Sequence, residues 1–197
     1  MDEHLVRQAV AKTAHELWLR GLMVGDGGLV CAELNRRRYL VTPPGTRRAG
    51  LDPQAAMIVD LSGEACHGTR PQSIAPRLWQ PCMLALQASA RQDPQAIRDT
   101  GTAGVPEIRA CIICTPPSLT AVSRLSENDT LNLNNGQALP IIEYDNAQAL
   151  TGALGETKAV WLRGIGLFVP AASLPTAANI AEHFEHEATI TLAMRRA

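Results

Sequence analysis

Apolar residues recur at spacings of four, four and three along Val6, Val10, Ala14 and Leu17. That spacing places them on one helical face and predicts an amphipathic helix over residues 2–22. Gly21 and the run Gly25-Asp26-Gly27-Gly28 stop it in a tight loop. Two short apolar stretches, Leu29–Leu34 and Tyr39–Thr42, then read as strands joined by the basic turn Asn35-Arg36-Arg37-Arg38. The rigid turn Thr42-Pro43-Pro44-Gly45 follows. Leu51-Asp52-Pro53 suggests a short helical turn, and Ala56–Leu61 a strand ending at Ser62-Gly63. Ala75–Ala90 is predicted helical. Pro76 suits its first turn, whereas Pro81 is expected to kink or shorten it.

Residues 91–107 are polar, with two prolines and two glycines, and read as a surface insertion. Beyond it the pattern predicts a central strand over Arg109–Cys114, a helix from about Ser118 to Leu125, a turn at Asn134-Asn135-Gly136 and a strand over Ile141–Tyr144. Ala147–Leu154 reads as a helix, Ala159–Arg163 and Leu167–Val169 as a strand pair broken at Gly164–Gly166, and 176–195 as a closing helix. Helices alternating with short strands, without internal repeats, predict a single α/β domain over 1–197 with a mixed central sheet flanked by helices.

Composition narrows the function classes. A net charge of −1 and an aromatic content of 4% give no electrostatic or stacking argument for nucleic acid or an anionic membrane. No stretch approaches the ~20 apolar residues of a membrane span. The N-terminal MDEHLVRQAV is charged and lacks the apolar core of a leader, so a cytoplasmic location is expected. Five cysteines, an odd number, are expected to be free thiols in a reducing compartment.

The order of short signals is similar to the class II aldolase/adducin family, with its L-fuculose-phosphate-aldolase type of fold. The signals are Gly21-Leu22, Gly28, Thr42-Pro43-Pro44-Gly45, Val59-Asp60-Leu61-Ser62-Gly63, Pro71-Gln72-Ser73, Thr115-Pro116-Pro117, Tyr144 and Leu162-Arg163-Gly164-Ile165-Gly166. The resemblance runs from about residue 17 to residue 187 and implies a three-layer architecture and a symmetric tetramer. It also implies a divalent ion on three histidines, an acid/base glutamate, and a phosphate loop. The matching metal positions read Ile113, Thr115 and Ile165, and the acid/base position reads Ile74. In the implied phosphate loop stand Gly28, Leu29, Cys31, Thr42, Gly45 and Ser73, with Gln72 at the first serine of the family's pair; only Thr42 and Ser73 keep a hydroxyl. Isoleucine offers no lone pair to a metal and no proton to exchange. No histidine occurs between His67 and His183 to supply a missing ligand from a shifted register. No metal, cofactor or catalytic residue is therefore expected.

Other motifs read as structural. Cys111-x-x-Cys114 lies on a predicted strand, where residues three apart face opposite sides. His183-x-x-His186-Glu187 does not have the HExxH spacing of a zinc protease and reads as a solvated helix face. His4, His15 and His67 have no acid partner at recognisable spacing. Arg36–Arg38 and Arg47–Arg48 could gather into a basic patch near the old phosphate loop. The Gly25–Gly28 loop follows a helix and precedes a strand, the reverse of the P-loop order.

These readings lead to a pseudoenzyme of the aldehyde-lyase type, an oligomeric binding or structural scaffold that associates with itself, an active paralogue or another protein being the further partner. The alternative is a lyase or isomerase acting on a small sugar phosphate or oxo acid in the same cleft without a His-bound metal. Its acid or base would come from Glu33, Cys31, Cys114 or Tyr144. A third reading is a binder of a small apolar or anionic ligand in the remodelled pocket.

Overall fold

Most strands of the central sheet alternate between two separate apolar clusters, and this period of two sets the architecture. In β1 (Leu29–Asn35), Val30, Ala32 and Leu34 enter one cluster while Leu29 and Cys31 enter the other. In β4 (Ala110–Cys114), Ala110, Ile112 and Cys114 face the first, and Cys111 and Ile113 the second. The Cys111-x-x-Cys114 pair is thus split across the sheet, as strand geometry predicts.

The computed structural model describes residues 2–66, 73–90, 107–126 and 128–195. His67, Gln72 and all of the 91–107 insertion except Glu107 lie outside the described residues.

The remaining strands are β2 (Arg38–Val41), β3 (Met57–Val59), β5 (Thr130–Asn132), β6 (Ala138–Ile142), β7 (Val160–Leu162) and β8 (Gly166–Ala171). They form one eight-stranded sheet in the order β3-β2-β1-β4-β8-β7-β6-β5. Only β6 and β7 pair in parallel, so the sheet is mixed. On one face pack α1 (Glu3–Leu19), α3 (Pro117–Arg124) and α5 (Leu174–Arg195); on the other pack α2 (Pro76–Ala90) and α4 (Ala147–Leu154). The result is a three-layer α/β domain.

Local chemistry fixes the elements that position the cleft. Asp2 caps α1 by accepting from the His4 N–H, and Asn146 caps α4 by accepting from the Ala149 N–H at 3.0 Å. The cap of α3 is supplied from afar. The Glu185 carboxylate of α5 accepts the N–H groups of Ser118 at 2.9 Å and Leu119 at 3.0 Å, tying the turn after β4 to the last helix. Two of its free N-terminal donors are thereby satisfied.

The expected kink at Pro81 does not interrupt α2, which runs unbroken to Ala90 with Pro81 buried inside it. The missing Pro81 N–H leaves the carbonyl of Arg77 without its helical partner. That residue lies in the exposed first turn, where water can take its place. The strand expected over Ile141–Tyr144 instead spans Ala138–Ile142, with Pro140 placed opposite Thr130 of the short edge strand β5.

Candidate functional site

At one end of the sheet four loops converge: Gly25–Gly28 before β1, Pro43–Arg48 after β2, Thr115 after β4, and Gly164-Ile165 before β8. The start of α2 closes the remaining side. Between them lies a cleft of about 350 Å³, within the range of small-molecule sites. It is lined by Asp26, Gly27, Gly28, Leu29, Thr42, Pro44, Gly45, Arg48, Ile74, Ala75, Arg77, Leu78, Thr115, Gly164 and Ile165.

Glycine is required at two points of close approach. Gly28 has φ +75° and Gly166 φ +144°. A Cβ on Gly28 would overlap the Ile113 carbonyl oxygen, and one on Gly166 the Cys114 carbonyl oxygen. These contacts seat the first loop and the Ile165 turn directly against the end of β4.

The residues named from sequence separate into three groups. Thr115, Ile165, Ile74, Gly28, Leu29, Thr42 and Gly45 all line the cleft. Ile113 lies one step down β4, paired with Leu29 and Phe168 and 1% exposed, as part of the apolar floor. Cys31 and Ser73 do not line it. Cys31 is wholly buried beside Cys111 on the adjacent strand, and Ser73 is exposed, bridged to Glu64. The Thr42 hydroxyl oxygen accepts the Val30 N–H at 3.1 Å and extends the β1–β2 ladder, so this side chain is largely occupied in holding the fold.

The acid/base candidates of the alternative reading are not in the cleft. Glu33 lies near the far end of β1, in a separate cavity with Arg36 and Tyr39. Tyr144 packs against the apolar cluster around α4 without lining the cleft. Cys31 and Cys114 are fully buried, and burial pushes both thiols up, away from the reactive thiolate. Burial likewise raises Cys82. A disulfide reagent at neutral pH is expected to modify one thiol rapidly, the half-buried Cys66, and all five only in denaturant. Two or more fast thiols in the native protein would contradict this burial.

Charge in the cleft comes from Asp26, Arg48 and Arg77, of which Arg77 belongs to no motif singled out from the sequence. Arg48 is 1% exposed, the largest of the fully buried side chains. Its Nη1 donates to the carbonyls of Pro43 at 3.0 Å and Thr46 at 2.8 Å. Its Nη2 donates to those of Asp26 at 2.8 Å and Gly28 at 2.9 Å. Burial lowers its affinity for a proton and the nearby Asp26 partly restores it. The basic patch that Arg36–Arg38 and Arg47–Arg48 could have made does not form. The first run caps the hairpin at the other end of β1, about 20 Å away for a seven-residue strand, and Arg48 is spent inside the protein. Arg77, in the first turn of α2, is exposed and has no carboxylate within 4 Å among the described residues.

The cleft does not suit a divalent ion. Two arginines and isoleucines line it, and no group of three His, Cys, Asp or Glu side chains able to hold a metal occurs among the described residues. His183 instead pairs with Gln137 at 3.1 Å in a different cavity, and His186 is exposed on α5.

Comparison with known proteins shows what the chain resembles. Solved structures with low sequence identity share the fold over almost the whole chain. L-fuculose-1-phosphate aldolase from Thermus thermophilus is 20% identical, with a TM-score of 0.72 and coverage of 98% of both chains. YgbL from Klebsiella pneumoniae, described as a putative aldolase/epimerase/decarboxylase, is 22% identical with a TM-score of 0.74, covering 98% of this chain and 91% of its own. A sugar-phosphate aldolase from Thermotoga maritima is 15% identical with a TM-score of 0.67, covering 97% and 94%. Residues 100–192 match the Class II Aldolase and Adducin N-terminal domain. The chain is thus similar to class II aldolases in fold, and in sequence over residues 100–192. No curated protein sequence matches it significantly. No helix among the described residues is long and apolar enough to cross a membrane.

Proposed function

We propose that this is a class II aldolase-like protein without metal-dependent lyase chemistry, a self-associating binding protein that retains the cleft and has lost its reactive groups. The observation that carries the reading is the lining of the cleft. Thr115, Ile165 and Ile74 stand around it, with Ile113 beneath, where the family resemblance implies metal ligands and an acid/base group. A carbonyl polarised by a Lewis acid needs donor atoms to hold the ion, and these side chains bring one hydroxyl between them.

The metal-free lyase or isomerase reading gains no support, because none of its proposed acids or bases reaches the cleft. Self-association, as a tetramer by resemblance, is supported by an apolar groove beside the cleft. It is lined by Val24, Thr115, Pro117, Thr120, Ala121, Arg124 and Leu125, with Val24 69% and Leu125 62% exposed. A cytoplasmic location and a paralogous partner belong to the same reading.

The test is elemental analysis of the untagged protein, followed by calorimetric zinc titration and a mass measurement in solution. No stoichiometric metal, only weak zinc binding, and a defined multimer are expected. One tightly held divalent ion per chain would overturn the loss of metal chemistry, and a monomer at micromolar concentration would overturn the assembly.

A further inference from the structure

The cleft carries one uncompensated charge and, within a mixed lining, several apolar side chains. Its buried cation, Arg48, is held by four backbone carbonyls with Asp26 close by. Arg77 is different: it lines the cleft, has no carboxylate within 4 Å among the described residues, and stands in the first turn of the fifteen-residue helix α2. The positive end of the helix dipole adds to its charge. The same lining includes Leu29, Ile74, Leu78 and Ile165, which offer carbon surface and no hydrogen bonds.

We propose that the cleft takes an aliphatic carboxylate, its head group on the Arg77 guanidinium and its hydrocarbon body against Leu29, Ile74, Leu78 and Ile165. This rests on the metal-free reading above and names the ligand class of the same cleft. A ligand with hydroxyls along its whole length would lose hydration against these four side chains without a hydrogen bond from them. A doubly charged phosphate ester would leave one charge unmatched beside a single free guanidinium. A monoanion with an apolar body meets both conditions, since guanidinium and carboxylate pair in a planar, two-bonded geometry.

The experiment is calorimetric titration of the full-length protein, in chelator, with acetate, butyrate, hexanoate, hexan-1-ol and inorganic phosphate. Hexanoate is expected to bind roughly tenfold or more tighter than acetate, since each buried methylene contributes up to about fourfold. Hexan-1-ol and inorganic phosphate are expected to bind more weakly than hexanoate. Arg77→Gln, on an exposed turn, is expected to reduce hexanoate affinity about tenfold with an unchanged thermal midpoint. Ile165→Asn is expected to weaken hexanoate while leaving acetate unaffected. Equal affinity for acetate and hexanoate, tighter binding of inorganic phosphate, or an Arg77→Gln variant that binds like the parent would each overturn the proposal. No hexanoate binding in a protein that also holds no zinc sinks this inference alone. Hexanoate binding that appears only when zinc is restored sinks the metal-free reading with it.

Discussion

Arg48→Met is expected to destabilise the protein by about 3–5 kcal/mol. Methionine fills a similar volume but cannot donate, so the carbonyls of Pro43, Thr46, Asp26 and Gly28 lose their partner together. Each acceptor left unmet away from water costs about 1–3 kcal/mol. Part of that is offset because the guanidinium, whose Nε is itself buried without a partner, no longer has to be desolvated. At about 2–4 °C per kcal/mol for a domain of this size, the thermal midpoint should fall by roughly 6–20 °C. Arg48→Lys should recover little, because one ammonium cannot reach two loops from a single fork. Urea unfolding of both variants measures the effect. A loss below about 1 kcal/mol for Arg48→Met would mean that the two loops hold each other without it.

Gly28→Ala is expected to cost about 3 kcal/mol, combining the left-handed backbone, roughly 1–2 kcal/mol for a residue with a Cβ, with overlap against a backbone atom that cannot rotate away. The overlapped atom is the Ile113 carbonyl oxygen, and the Met23 methyl lies 3.1 Å from the added carbon on the other side. Gly45→Ala is the control. Gly45 has φ +67° with nothing within 4 Å of an added Cβ, so only the backbone contribution, about 1 kcal/mol, should remain. Equal losses in the two variants would refute the packing explanation and leave backbone conformation as the whole effect. The comparison also bears on why the first loop is glycine-rich, since contact with β4 demands Gly28 whether or not a ligand ever sits there.

Much of the frame is legible in the chain itself. Helix α4 follows Asn146 and stops before Gly155, where the side-chain cap and the following glycine mark both ends. The spacing of Val6, Val10, Ala14 and Leu17 is enough for α1, and all four are buried. The ordered short motifs around Gly28, Gly45, Thr115 and Ile165 anticipate one shared cleft, because each motif is a turn that ends or begins a strand on the same side of the sheet.

Other features depend on tertiary convergence that no local pattern carries. Arg48 sits in the basic pair Arg47-Arg48, which reads as a solvated turn. Its burial follows from four carbonyls of two loops some twenty residues apart in sequence. Arg77 is hidden inside a helix whose orientation toward the cleft is set by packing. The strand expected from the apolar pattern begins at Ile141, one residue after Pro140. In the fold β6 includes Pro140, which faces only the short edge strand. Cys31 shows the reverse error: motif order places it in the loop, but strand alternation turns its side chain into the core.

The two outermost strands, β3 and β5, are each three residues long. So brief a border exposes few unpaired amide and carbonyl groups, and it offers a second sheet almost nothing to join. Edge-to-edge polymerisation by main-chain pairing is therefore disfavoured. An assembly built on side-chain surfaces such as the Val24–Leu125 groove should have a stoichiometry that responds to single substitutions on that surface.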